Sequence, residues 1–216
     1  MMRSRLQGRR ACAVALIATA MSAWVWADST YPNKPIRIVV PFTPGGSPDV
    51  LARTLGQKIT EATGATVVVE NIAGAGGTIG ADRVAKAPAD GYTLLMGHVG
   101  TLAVAPSVYP NLPYDPVKSF VPVAWVARVP NVLAVHPSLP VKNTTELVNY
   151  LKTHPGQVNY GSGGNGSAAH LATEYFKWVT QTFVVHVPYR GTAPSVADAV
   201  AGQIQMVFTG APALVP

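Results

Sequence analysis

Two periods alternate along the chain. The run IRIVVPF at 36–42 is almost wholly apolar and predicts a buried strand. From 48 to 62 the spacing becomes helical, with Leu51, Leu55, Ile59 and Ala62 on one face. Ser47 suits the N-cap of that helix, Pro48 its first position and Gly64 its end. TVVVE at 66–70 predicts a second strand. A short helix follows from about Thr78 and halts at Pro88, and Asp90-Gly91 turns the chain into the strand YTLLMG at 92–97. The proline-rich passage from His98 to Pro122 reads as a crossing between domains. Beyond it the pattern predicts strands at VPVAWVA and NVLAVH, then a helix from Thr144 to His154 opened by the capping-box pair Asn143 and Glu146. Strand 158–162, helix 168–179, strand 182–189, helix 194–201 and strand 204–208 complete the set. Strands alternating with helices imply an α/β fold with a parallel sheet in each half.

The first 27 residues change the reading of the composition. MMRSRLQGRR carries four arginines and no acid. ACAVALIATAMSAWVW is shorter than the roughly 20 apolar residues that span a bilayer. Val25-Trp26-Ala27 puts small residues where a signal peptidase needs them, so an export signal cleaved near Ala27 is expected, and with it a periplasmic location. Arg9-Arg10 hints at a twin-arginine signal, but the flanking residues do not support one. Cys12, the chain's one cysteine, would leave with the signal, excluding disulfides and thiolate metal ligands from the exported chain. Four of the 16 basic residues would leave and none of the 10 acidic ones, giving a mature charge of +2. No basic stripe remains for nucleic acid.

Three glycine-rich turns fall where a strand hands over to a helix: Pro44–Ser47, Gly74–Thr78 and Gly161–Ser167. Glycine admits close backbone approach, and a helix start offers unpaired N–H groups and a partial positive charge. Such places bind phosphate, sulfate or carboxylate, or they are merely tight connections; three together favour binding. A dinucleotide fingerprint is out of register in GAGGTIG, and no P-loop lysine is present, so no cofactor is expected. A secreted serine esterase is the rival reading, with Ser162 or Ser167 as nucleophile and His170 nearby. However, no G-x-S-x-G elbow occurs, and Ser167 serves more simply as an N-cap. His170 is either a ligand contact or a core histidine. His98, His136, His154 and His186 have no metal-binding spacing, so no metal is expected. Asp49 either complements the helix dipole or bonds a bound water or ligand amine. Arg190, the one cation near a candidate turn, reads as a solvated loop residue.

YPNKPIRIVVPFTPGGSPDVLAR, VVVENIAGAGGTIGADRVAKAPADGYTLLMG, VNYGSGGNGSAAHLATEYF and VVHVPYRGTAPSVADAVAGQIQMVF occur in this order. Together they closely resemble the periplasmic solute-binding proteins of tripartite tricarboxylate transporters, the Bug proteins, from about Tyr31 onward. The resemblance implies a two-domain α/β binding-protein fold of type II-like plan, closing on a small ligand in the cleft. Ligands of the class are di- and tricarboxylates, amino acids and aromatic acids such as nicotinate. It implies membrane subunits as partners, or a sensor kinase, and a monomer that is no enzyme. The implied domains are 28–104, a crossing at 105–122, and 123–216. The implied ligand-binding set is Phe42, Gly45, Gly46, Ser47 and Asp49 from the first turn; Gly76 and His98 beside it; Ser162, Gly163, Asn165, Gly166, Ser167 and His170 facing it; and Tyr189 and Thr209. This chain departs from the common pattern at Ser47-Pro48 before the aspartate and at Thr209 after MVF. Members of the family also continue past the position of Pro216, so a chain shortened at its C-terminus is expected, as a fragment or as a truncated gene.

Overall fold

The computed structural model describes residues 31–214, so the expected export signal, its cleavage site near Ala27 and Cys12 lie outside the described residues. From Lys34 onward the described residues form a compact unit that contains two sheets.

The first sheet is three-stranded and parallel, ordered β2-β1-β3, with β1 at Ile36–Val40, β2 at Val67–Asn71 and β3 at Thr93–Leu95. Ile38 pairs with Val69 on one side and Leu94 on the other. The apolar run thus becomes the central strand, and Val39 and Val40 are fully buried. Helix α1 (Ser47–Thr63) links β1 to β2, and α2 (Thr78–Ala85) leads towards β3. Ile38, Val40, Phe42, Ala52 and Met96 form the core here, with Leu51 and Leu55 packed against it. Two expectations for α1 need correction. Its N-cap is Gly46 in extended conformation, and Ser47 is the first helical residue with no side-chain cap. Its buried line runs through Ala52 and Gly56, while Ala62 is exposed. The reason is steric: a Cβ at Gly56 would lie 2.9 Å from Val67 Cγ1, so the helix settles onto β2 along its small residues.

The proline-rich passage folds more than its composition suggests. A π-helical turn at Gly100–Val104 runs into the short α3 (Ala105–Val108), and buried Tyr114 donates its hydroxyl to Thr101 O at 2.7 Å. The strand expected at VPVAWVA does not form. Val121, Val123 and Trp125 are 87, 79 and 78% exposed, because no described strand lies alongside to complete a ladder.

The second sheet is ordered β4-β7-β5-β6, with β4 at Asn131–Val135, β5 at Asn159–Ser162, β6 at Val185–Pro188 and β7 at Met206–Gly210. β5, β6 and β7 are parallel and β4 is antiparallel to β7, so this sheet is mostly parallel, as the fold class expected for each domain requires. β4 arrives from the crossing rather than through a helix, so no strand–helix–strand connection dictates its direction. Leu147, Leu151, Val158, Tyr160, Val184 and Met206 form the main core. Helix α4 (Thr144–Thr153) begins on the expected pair: Glu146 N–H donates to Asn143 Oδ1 at 3.0 Å, and the Glu146 carboxylate accepts from Lys142 N–H at 2.8 Å. Helix α5 (Ala168–Thr180) begins on Ser167, whose Oγ accepts from His170 N–H at 3.3 Å, and α6 (Thr192–Val200) follows β6.

Gly80 on α2 fits where nothing larger can. A Cβ there would lie 2.8 Å from Pro41 Cα and 2.6 Å from Ile72 O, both main-chain atoms. Gly80→Ala is expected to destabilise the chain by about 1–3 kcal/mol, read as a lower midpoint in urea unfolding with an unchanged slope.

Candidate functional site

The turn after β1 is shaped by one buried carboxylate. Asp49, in the first turn of α1, is 3% exposed. Its Oδ2 accepts from Gly45 N–H at 3.0 Å and from Arg53 Nε at 3.1 Å. Its Oδ1 accepts from Asn71 Nδ2 at 2.9 Å and faces Arg53 Nη2 at 3.0 Å. Burial pushes this carboxyl up, but the hydrogen bonds from Arg53, Gly45 and Asn71 outweigh it and hold it below the usual carboxylate range. The N–H groups of Gly46 and Ser47 make no hydrogen bond among the described residues, as expected of a helix start.

Turns from both sheets converge on this one. Gly191 is the tightest point: a Cβ there would collide with Thr43 Oγ1 and lie 2.9 Å from Thr43 N. Thr43 Oγ1 is itself buried without a hydrogen-bond partner. Gly46 faces Thr192, and Gly163 lies against Thr192 and Ser167. On the other side of the turn, Gly76, with φ of 63°, abuts the carbonyl of Asn165, and the Tyr109 hydroxyl donates to that same carbonyl at 2.9 Å. Gly100 sits against Gly166 and Ser167, and its N–H donates to His98 Nδ1 at 3.1 Å. Phe42 is buried edge-to-face on His98, with ring centroids 5.1 Å apart, and burial pushes the His98 imidazole down to about 4. Ser47 abuts Gly210, next to buried Thr209 in β7. Of the candidates named from sequence, Phe42, Gly45, Gly46, Ser47, Gly76, His98, Gly163, Asn165, Gly166 and Ser167 therefore line neighbouring turns.

The remaining candidates sit behind these turns. Ser162 is fully buried; its Oγ lies 2.6 Å from His186 Nε2 and accepts from Gly164 N–H at 3.1 Å. His170 accepts from Gly166 N–H at Nδ1, 3.2 Å away, and stacks on His186 at 4.4 Å between ring centroids. Tyr160 also stacks on His186, with ring centroids 4.7 Å apart, and donates to Glu174 at 2.6 Å. The Tyr189 hydroxyl donates to Asp198 at 2.6 Å. Ser162 and His186 make a serine–histidine contact that sequence spacing did not suggest. Burial, and then the neighbouring His170, push His186 down to about 4, which makes it a weak base. With a buried oxygen already bound to Gly164, Ser162 has the geometry of a turn support rather than of a nucleophile. Sequence reasoning also missed Thr43, Arg53, Asn71, Tyr109, Gly191 and Thr192. A glycine between Arg190 and the start of a helix was the available signal for the last two.

Two α/β sheets whose helix-initiating turns meet at one junction define the architecture of a binding protein. Residues 51–216 match the family described as tripartite tricarboxylate transporter family receptor. The chain belongs to that family. Among curated relatives, the protein BugT of Bordetella pertussis is 42% identical over 199 residues, covering 92% of this chain and 61% of its own. Among solved structures, a periplasmic transporter superposes with a TM-score of 0.84 at 48% identity, covering 86% of this chain and 62% of that one. A protein of R. palustris solved with adipate has the same TM-score at 41% identity and the same two coverages. The chain thus spans about three-fifths of the length of these relatives.

The buried histidines set a pH dependence. His98 and His186 each have a folded value of about 4 against an ordinary 6.5, so folding holds both neutral. Their contribution to stability is fully present above about pH 6.5 and is lost as pH falls towards 4, because the unfolded chain takes up protons first. Thermal midpoints are expected to fall across that window. His186→Gln, which keeps a polar group beside Ser162, is expected to flatten the fall, as read by thermal unfolding at pH 7.5, 6 and 4.5.

Proposed function

We propose that this chain is the ligand-capturing part of a periplasmic substrate-binding protein, which takes up a small carboxylate for a tripartite tricarboxylate-type transporter. The observation that carries this reading is the convergence of turns from two sheets around unpaired N–H groups at the start of α1. Backbone donors at a helix start bind anions without a neutralising cation. Family membership and the adipate held by the R. palustris relative support a carboxylate as the ligand. The two lobes would be residues 28–104 and 123–216, joined through 105–122, with the ligand between Phe42–Ser47, Gly76 and His98 on one side and Gly163–Ser167, Tyr189 and Thr209 on the other. Export by a signal cleaved near Ala27, a monomeric state, and delivery to membrane subunits or to a sensor kinase belong to the same reading. No turnover is part of it, since the Ser162–His186 contact is buried and its histidine is a weak base.

The test is a thermal-shift screen with adipate, succinate, glutamate and nicotinate. A ligand that binds only the folded chain raises its apparent stability, by about 2.7 kcal/mol at a hundred times Kd. At least one acid is expected to raise the midpoint, and Gly191→Ala is expected to abolish that rise by wedging the two turns apart. No shift with any of these acids, or an equal shift in the variant, overturns the reading.

A further inference from the structure

The hydrogen bonds around Asp49 form a closed ring whose outputs are main-chain atoms. Arg53 Nη2 donates to Asn71 Oδ1 at 3.0 Å, Asn71 Nδ2 donates to Asp49 Oδ1 at 2.9 Å, and Arg53 Nε donates to Asp49 Oδ2 at 3.1 Å. Each member therefore fixes the other two. The ring then holds the turn at both ends: Asn71 Nδ2 also donates to Phe42 O at 3.1 Å, and Asp49 Oδ2 accepts from Gly45 N–H at 3.0 Å. Between these two points the chain must reverse, and Gly45 does so in the left-handed region at φ of 83°. Gly45 is itself exposed and belongs to no strand ladder; its one close side-chain neighbour is Ala193, so its N–H is held by Asp49 alone among the described residues. Asn71 is the last residue of β2 and Arg53 lies one helical turn beyond Asp49, so the ring ties the turn to two rigid elements.

We propose that Arg53 and Asn71 are positioning residues for ligand capture: acting through Asp49, they hold the Phe42–Ser47 turn so that the N–H groups of Gly46 and Ser47 face the junction. The proposal rests on the functional reading above and assigns Asp49 to the same ring. Its carboxylate is taken up by four protein donors and turned away from ligand duty. That removes the repulsion an acid beside a bound carboxylate would create. An open turn would have to be ordered at the moment of binding, and the ring removes that cost beforehand.

The test uses the full chain and two readouts, one of which needs no ligand. Hydrogen exchange of the Gly45 amide reports the Asp49 bond directly, since this exposed residue has no other protection. Arg53→Met is the main variant, because the Arg53 side chain is 53% exposed and its removal leaves the core intact. Gly45 exchange is expected to quicken about tenfold, the loss of one hydrogen bond. Adipate affinity by calorimetry is expected to fall by a similar factor, with amides of β1 and β5 exchanging as before. Arg53→Lys, which keeps the charge but not the fork, is expected to recover part of both. Asn71→Ala is expected to act like Arg53→Met. Unchanged Gly45 exchange in both Arg53→Met and Asn71→Ala overturns the ring, and faster exchange with unchanged adipate affinity overturns its role in capture. If the parent chain does not bind adipate, that result strikes the choice of ligand, while the exchange readout still decides the ring.

Discussion

The structure depends on main chain meeting main chain where two sheets face each other. At Gly191 against Thr43, and at Gly76 against the Asn165 carbonyl, the gap between turns is smaller than one methyl group. A single Cβ at either place would separate the sheets by more than packing can absorb, because folded interiors have almost no free volume to redistribute. The contact brings together four turns: the start of α1, the Gly163–Ser167 loop, the start of α6 and the His98–Gly100 turn. The second sheet therefore serves as more than a separate layer, since its turns complete the walls left open by the first.

Close approach alone would leave the turns free to shift, and the side chains behind them remove that freedom. On the first sheet the Arg53–Asp49–Asn71 ring holds the loop from beneath. On the second, Ser162 bonds Gly164 N–H and His186, while His170 bonds Gly166 N–H. The two supports differ in chemistry. The first is an ion pair closed by an amide. The second is a stack of neutral aromatic rings, His170 on His186 on Tyr160, ending in the hydrogen bond to Glu174. Both use side chains to fix backbone groups, so side-chain identity behind a turn governs what the turn can present in front.

Much of this was legible in the sequence, for a physical reason. Local signals report local structure: the run at 36–42 reads as a buried strand, and Asn143 with Glu146, or Ser167 before Ala168, mark helix starts through bonds between near neighbours. Properties that depend on distant partners were misjudged. VPVAWVA alternates as a strand should, yet a strand needs a ladder, and none of the described strands supplies one. Which strand of the mostly parallel sheet would run the other way was also not legible: β4 has the composition of its neighbours, and direction is set by the connection and not by the strand. Asp49 read as a helix-dipole or ligand group, because its partners Arg53 and Asn71 come from a helix and a strand whose meeting no spacing rule encodes. The Ser162–His186 contact spans 24 positions and was invisible for the same reason.

The charge at the junction follows from these supports. Arg53, behind the first turn, is already committed to Asp49. His98 and His186 are held neutral at ordinary pH by burial, and His170 is shifted in the same direction. On the reading proposed here, the groups that would meet an anion include uncharged dipoles: N–H groups at the start of α1 with no partner among the described residues, and the hydroxyls of Thr43 and Thr192. Dipoles fixed by a rigid frame lose little by being desolvated in advance, whereas a free arginine would lose its hydration on every closure. On the reading proposed here, such a junction would select acids by shape and by the number of donors they can occupy, and would release them without breaking a salt bridge. A protein that must hand its ligand onward is served better by several moderate bonds than by one strong ion pair, because each can be given up separately as the turns part.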